Sequence, residues 1–461
     1  MTLPRRFVEE LHRAMGPGEV LLDPGETAPF GRDETEDLFF PPEVVVRPRN
    51  GTSVPLLMEL ASRYRVPVTP RGGGTGLSGG ALPVEGGVVL ALDRLDRILE
   101  IDERNMVAVV EPGVITQVLQ DAVEARGLFY PPDPASRGSC TLGGNLAENA
   151  GGPRAVKYGV TADWVLGLEV VLADGSVVRT GSACRKDVTG YDLTHLFVGS
   201  EGTLGVITEA TLRLIPRPAA RALLLAAFPT LRAGLEAVLA LLARLTPSVC
   251  EFLEGAALAA AADHLSRPLP GAGAAAHVLL EVDGNSAEDV ESQMMTAGEI
   301  LDGGGAGTVL VAQSPRESEE LWALRRAAGE AVKALSTYKE EDCVVPRARI
   351  VELVEGVKEI AARSGITTIC YGHAGDGNIH VNILRMDADD ATWNEKLPGV
   401  IEEIFRLTVS LGGTITGEHG VGYTQRRYLP LRLGAPELAL HRRIKEALDP
   451  LGILNPSKVF P

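Results

Sequence analysis

The sequence predicts an α+β protein with two main domains, and three observations carry that prediction. The chain opens with a β-α-β pattern. A proline pair, Pro216 and Pro218, then separates a strand-rich first half from a second half rich in Ala, Leu and helix formers. The second half alternates strand and helix in the manner of helices laid on one side of a sheet. At 461 residues there is material for two to four domains with large cores.

In chain order, a short helix over 4–15 precedes the acidic loop Asp33 to Asp37. A strand follows at 44–46. Thr52 or Ser53 can cap the next helix, with Pro55 in its first turn and Leu56, Leu57, Leu60 and Ala61 recurring on one face. Strands at 66–69, 88–92 and 106–111 come next, then a helix over 115–125. Strands at 165–172 and 177–180 are joined by Asp174 and Gly175, a dipeptide that favours the tight hairpin turn. Residues 203–214 form a further strand pair in this reading. Beyond the prolines, strands at 223–228, 249–252 and 277–282 alternate with helices, among them 231–245 and 287–297. A long helix over 317–335 carries Trp322 and Arg325. No internal repeat is visible.

Composition excludes several function classes. Lys plus Arg number 44 against 61 Asp plus Glu, a net charge of −17. A general nucleic-acid or anionic-membrane binder needs a positive footprint instead. An apolar fraction of 45% argues against disorder. The longest apolar runs, such as 222–228 and 237–243, fall far short of the roughly 20 residues a membrane span needs. The N-terminus has no apolar signal core. The expectation is a cytoplasmic protein, with any membrane association peripheral and through a partner. Cys140, Cys184, Cys250, Cys343 and Cys370 are scattered without a Cys-x-x-Cys, which argues against a zinc ribbon or an iron–sulfur cluster within this chain.

Three glycine clusters stand in the first half. The first, 70–80, contains Gly74, Gly76 and Gly79 in the spacing of a dinucleotide-binding loop. That loop should open a helix, and here it runs into Pro83, Gly86 and Gly87, so a nicotinamide-type fold fails. A phosphate-cradling loop outside that fold remains, because glycine lets backbone N–H groups approach an anion. The second cluster runs from Tyr130 through Ser139 to Gly152. Its hydroxyls and amides alternate with glycine, which suits a surface lying flat against a ligand. The third, Gly199 to Thr208, is a glycine turn entering a strand.

The second half holds a histidine constellation. His373 and His380 flank Asp376, Gly377 and Asn378. Strand period two puts His380 and Asn382 on one face, with Ile379, Val381 and Ile383 on the other. Glu418 and His419 follow about forty residues later. Two imidazoles and a carboxylate match a ligand set for a divalent metal with open positions, although spacing alone does not force metal binding. Arg325 suits bidentate pairing with a planar carboxylate; its alternative is a solvated helix face beside Glu320 or Glu330.

These motifs together resemble the vanillyl-alcohol-oxidase/PCMH-type flavoprotein superfamily, within it the glycolate oxidase catalytic subunits, D-lactate dehydrogenases and D-2-hydroxyglutarate dehydrogenases. The resemblance covers nearly the whole chain. It implies a PCMH-type FAD-binding domain of two α/β subdomains over 1–218, a ferredoxin-like α+β cap or substrate domain over 219–415, and a C-terminal segment, 416–461, returning to the FAD domain.

By that resemblance FAD is held by Pro70, Arg71, Gly72, Gly73, Gly74, Thr75, Gly76 and Leu77, and by Pro132, Asp133, Ser139, Thr141, Gly143, Gly144, Asn145, Asn149, Ala150, Gly151 and Gly152. Glu201, Gly205, Val206 and Ile207 join from the third cluster, and Asn455 from the tail. Thr75 stands where some members attach FAD covalently through a His, so non-covalent FAD is expected. His373, His380 and Glu418 match the family's metal ligands, with zinc expected and manganese or iron as alternatives. His419 matches the base and Arg325 the arginine that binds the substrate carboxylate, with Asn382 expected to help fix that group.

The implied reaction is oxidation of a small 2-hydroxy acid to the 2-oxo acid, with electrons passed to a separate acceptor such as an iron–sulfur subunit. Gly329 stands where D-2-hydroxyglutarate dehydrogenases carry a substrate-binding Thr, and Lys339, which runs into Glu340, Glu341 and Asp342, departs from the setting of their Lys. Glycolate or D-lactate is therefore expected over a dicarboxylate. A metal-dependent hydrolase would leave the glycine clusters unexplained, and a non-catalytic FAD-binding subunit would lack the metal and base residues. A homo-oligomer stays open.

Overall fold

The computed structural model describes residues 3–461. The chain divides into two compact units. One contains the stretch ending at Gly151, Val160–Arg217 and Glu418–Pro461; the other contains Gly152–Gly159 and Pro218–Gly417.

The first unit is built on two main sheets, with a two-stranded pair, Leu128–Phe129 and Ile215–Pro216, beside them. In the smaller, strands run in the order Val20–Leu21, Val44–Val46, Val88–Ala91, Val68–Arg71, and the last three are mutually parallel. Helices Arg5–Ala14 and Ser53–Tyr64 bury Phe7, Leu11, Leu57 and Met58 against Val44, Val46, Val88 and Leu90. Val45, Val89 and Ala91 fill the opposite face. Burial on both faces explains why these strands carry unbroken apolar runs. The tail completes one edge: Val68 donates its N–H to Ile453, and Asn455 donates to Val68, both at 2.8 Å. The helix Ser53–Tyr64 has no side-chain cap, contrary to expectation, because the Thr52 hydroxyl is bonded to Asn50 instead.

The larger sheet is antiparallel, in the order Ile98–Asp102, Val107–Val110, Val206–Arg213, Val165–Val171, Val177–Gly181. The expected hairpin at Asp174 and Gly175 joins the last two. Residues 203–214 are not a strand pair. They supply one strand, Val206–Arg213, paired on both sides, because the nearby glycines precede it rather than divide it.

In the second unit, a seven-stranded antiparallel sheet combines β1 (Ala220–Phe228), β2 (Val249–Glu254), β3 (Ala276–Gly284), β4 (Thr308–Val311), β5 (Tyr338–Val344), β6 (Thr367–Gly372) and β7 (Asn378–Leu384), in the order β4-β1-β3-β2-β6-β7-β5. Its helices are α1 (Leu231–Leu242), α2 (Gly255–His264), α3 (Ala287–Gly303), α4 (Pro315–Ala334), α5 (Ile350–Ser364) and α6 (Asp390–Ser410). The path β1-α1-β2-β3-α3-β4, with α2 inserted after β2, is ferredoxin-like. The path β5-α5-β6-β7-α6 repeats it. Its fourth strand is reduced to one antiparallel bridge, Val344 to Thr414. The halves join where β2 meets β6, with Phe252 opposite Gly372 and Leu253 opposite Tyr371. This repeat is one of connectivity, which is why no sequence periodicity betrays it.

Helices cover both faces of this sheet rather than one. Leu223 and Leu225 of β1 pack with α2 and α4, whereas Phe228, of opposite parity, meets α1 at Gly234. The apolar run of β1 has no alternation because neither face is solvated.

Candidate functional site

A pocket lies within the first unit, and its walls are mostly backbone. The loop after Val68–Arg71, the helix Leu142–Glu148 and residues 200–207 form it, together with Glu418 and His419. Glycine is required by close approach. A Cβ on Gly73 would lie 2.6 Å from the Ser139 carbonyl oxygen, and one on Gly143 would lie 2.6 Å from Pro112 Cβ. Gly74 has φ +70°, a conformation side chains disfavour. The second glycine cluster is not a flat surface. Thr141 caps a helix there by accepting from the Gly144 N–H at 3.4 Å, and left-handed Asn149 ends it.

Arg71 gives this pocket its charge. Its Nη1 is buried without a hydrogen-bond partner, and burial lowers its pKa against the opposing pull of Asp33 and Asp93. Arg71 as a whole is only half-buried, but an enclosed N–H edge of a cation is costly unless an acceptor completes it. Glycine backbone beside such a cation fits a diphosphate, the group that FAD carries.

The wall includes Pro70, Arg71, Gly72, Gly73, Gly74, Thr75, Gly76, Leu77, Thr141, Gly143, Gly144, Asn145, Ala150, Glu201, Gly205, Val206 and Ile207. Other expected contacts are not on it. Pro132 accepts from Gln120, and Asp133 pairs with Arg137 at 2.6 Å. The Ser139 carbonyl packs behind Gly73, Asn149 accepts from the Ala162 N–H, and Gly151 lies against Glu418. Gly152 belongs to the second unit. Asn455 works behind the wall: its Nδ2 donates to the carbonyls of Gly80 at 2.9 Å and Glu201 at 2.7 Å.

Glu148 lines the pocket without having been expected to. Its Oε2 is buried and has no hydrogen-bond partner; burial, then the charge of Glu201, push its pKa well above the usual carboxylate range. Glu201 accepts the N–H groups of Val421 at 2.9 Å and Gly422 at 2.6 Å, which fixes the turn just after His419. Lys458 sits in the same buried layer, donating to Leu82, and burial pulls its pKa down to about 8.

The second unit offers a charged sheet face. Residue parity and register put Glu251 of β2, Tyr371 of β6, His380 and Asn382 of β7, and Glu340 and Asp342 of β5 on the α4 side, with His373 one residue past β6. Arg325 projects from α4 onto Glu251, with Nε at 2.6 Å and Nη2 at 2.5 Å from Oε2. Glu251 is fully buried and Arg325 is 7% exposed, so the solvated-helix reading of Arg325 is excluded. Glu320 pairs with Arg316 instead. The other oxygen of Glu251 lies 2.7 Å from Nδ1 of His373. Burial pushes the Glu251 pKa up, but Arg325 and His373 outweigh it and hold it below the usual range.

A carboxylate can only accept, so His373 carries its proton on Nδ1 and turns Nε2 towards other partners. The rings of His373 and His380 are 5.2 Å apart, edge to face. His380 Nδ1 is 3.7 Å from Asp342 and 4.0 Å from Glu340. Two buried imidazoles with carboxylates fit a divalent metal. Asn382 is fully buried, and neither atom of its amide has a hydrogen-bond partner among the described residues. Asp342 also accepts the Gly417 N–H at 2.7 Å, and Glu418 is the next residue along the chain. Lys339 lies between Tyr338 and Glu340 in β5, so it points to the face opposite Arg325. Glu251 escaped the sequence reading because it lies 122 residues from His373, in a strand with no local motif.

Comparison with known proteins bears on both regions. Residues 42–181 match a family model described as FAD binding domain, and residues 217–459 match one described as FAD linked oxidases, C-terminal domain. The chain is 44% identical to the glycolate oxidase subunit GlcD of Bacillus subtilis, over 94% of this chain and 92% of that one. It is 36% identical to a D-lactate dehydrogenase of Anaerostipes hadrus, covering 91% and 89%, and 34% identical to a D-2-hydroxyglutarate dehydrogenase of Stutzerimonas stutzeri, covering 98% of each. A substrate-bound crystal structure of p-cresol methylhydroxylase shares the fold, with TM-score 0.81 at 16% identity, over 99% of this chain and 97% of that one. No helix among the described residues is long and apolar enough to cross a membrane.

Proposed function

The chain belongs to the FAD-linked oxidases, and on that premise we propose that it oxidises a small 2-hydroxymonocarboxylic acid, glycolate or D-lactate, to the 2-oxo acid. The observation that carries this reading is the sheet face of His380 and Asn382, with His373 beside it and Arg325 reaching onto it from α4. Residues 70–77, 141–145 and 201–207 would hold FAD non-covalently, since Thr75 offers no imidazole for attachment. His373, His380 and Glu418 would hold the metal. When bound, FAD supplies the two-electron acceptor and the metal, zinc first among the candidates, supplies Lewis-acid polarisation.

The remaining work falls to this chain's own side chains. His419 accepts the hydroxyl proton, a role a neutral imidazole suits near pH 7. Arg325 clamps the carboxylate, because a guanidinium has five donors and Glu251 uses only some of them. Asn382 donates its free amide to the same anion and fixes its orientation. A second carboxylate on the substrate finds no counterpart: Gly329 has no side chain, Lys339 is on the other face, and Lys333 is paired with Glu340 at 2.8 Å. That supports a monocarboxylate.

Electrons then leave to a separate acceptor, an iron–sulfur subunit or a quinone, because the five cysteines are scattered and four of them are buried. The Bacillus subtilis relative carries the word subunit in its name, which agrees with such an assembly.

Steady-state turnover with an artificial electron acceptor tests the reading. We expect kcat/KM for glycolate or D-lactate to exceed that for D-2-hydroxyglutarate and L-lactate by at least about tenfold. A preference for D-2-hydroxyglutarate would overturn the monocarboxylate assignment.

A further inference from the structure

We infer that Glu251 is a positioning residue shared by the two halves of the second unit's site, one carboxylate oxygen fixing metal-binding His373 and the other fixing substrate-binding Arg325. This rests on the roles proposed above for those two partners. The geometry is specific. Oε1 faces His373 Nδ1 at 2.7 Å, and Oε2 faces the Arg325 guanidinium at 2.5 and 2.6 Å. Glu251 is completely buried, so no water competes for either oxygen.

The sheet makes the sharing possible. Phe252 opposes Gly372 across the β2–β6 seam, so Glu251 and His373 are neighbours one position further on. Strand parity then turns Glu251 towards α4 and Arg325, with Leu253 packing against that helix two residues later. The two ferredoxin-like repeats therefore meet at a single acidic side chain, contributed by the first, that orients the imidazole contributed by the second.

Two consequences follow. With Nδ1 occupied as a donor, the imidazole of His373 is held in the tautomer whose Nε2 lone pair is available to a metal. Carboxylates that orient ligating histidines in this way typically change metal affinity 10- to 100-fold. The guanidinium of Arg325, held at one edge, presents its remaining N–H groups in a fixed plane. Substrate binding and metal binding thus depend on the same residue, although Arg325 and His373 do not bond each other.

Zinc(II) affinity of the FAD-loaded protein, measured by competition with a chromophoric chelator, tests this alongside KM for glycolate and D-lactate. Glu251→Gln has one acceptor for two donors. It should weaken zinc about 10- to 100-fold and raise KM at least tenfold. Arg325→Met should raise KM while changing zinc affinity less than threefold. If Glu251→Gln alone leaves Arg325 uncompensated and fails to fold, Glu251→Gln with Arg325→Met removes both charges and should still lose zinc affinity to the same extent. Unchanged zinc affinity in either Glu251 variant would overturn the inference. So would weaker zinc binding in Glu251→Gln with an unaltered KM. A wild-type protein that binds zinc but oxidises none of the hydroxy acids would defeat the functional reading alone, and the zinc measurements would still decide the role of Glu251.

Discussion

The pocket of the first unit and the charged face of the second are built from different materials. The pocket is shaped by what is missing: glycines at 72, 73 and 143 let backbone segments approach where a Cβ would collide. The charged face is shaped by what is present, a buried set of polar and ionic side chains drawn from four strands and a helix. Their buried carboxyls differ accordingly. Glu148, beside the like charge of Glu201, is pushed up; Glu251, between Arg325 and His373, is pulled down despite its burial. Adding atoms should break the first region, and removing charges should break the second.

The largest effect should come from His419. His419→Asn removes the proposed base without thickening the pocket wall, so kcat should fall about 10²- to 10⁴-fold while flavin absorbance per protein stays unchanged. Loss of flavin in this variant would show that the side chain builds the pocket instead. Gly73→Val should do the reverse. Its side chain meets the Ser139 carbonyl, which cannot yield, so FAD affinity should drop about 10- to 100-fold, with affinity for the proposed metal preserved. Arg71→Met removes only the half-buried guanidinium and should weaken FAD about tenfold, measured by flavin fluorescence on reconstitution.

The smallest effect concerns pH. Because the folded-state pKa of Glu148 is raised, its destabilising contribution is absent below the ordinary carboxylate range and grows as pH rises towards that folded value. Glu148→Gln should therefore raise Tm by about 2 °C at pH 8 and leave it unchanged near pH 4. Glu251 has the opposite sign. Its stabilising contribution is complete above the ordinary carboxylate range and is lost as pH falls through its lowered pKa. A Glu148→Gln gain that was equal at both pH values would contradict the assigned shift.

The two regions also differed in how well the sequence disclosed them. Pocket residues 70–77 were legible because glycine density is a local signal, and loop curvature around an anion needs it. His380 and Asn382 were legible because one strand's period places both on one face. The helix Leu142–Glu148 was hidden, since two glycines inside a seven-residue span mask the Thr141 cap and the Asn149 terminus. Glu251 was hidden for a deeper reason. Its relation to His373 exists only through the β2–β6 register, which no local pattern specifies. The repeat of connectivity was invisible for the same reason, and continuous apolar strands gave no sign that helices cover both faces.

An anaerobic visible spectrum of the purified FAD-loaded protein, titrated with glycolate and with D-lactate before and after chelator treatment, tests the central claim most directly. The account predicts that one of these acids bleaches the oxidised flavin band stoichiometrically, and that chelation slows the bleaching sharply. A flavin band unaffected by either acid, in protein loaded with zinc before the titration, would contradict it.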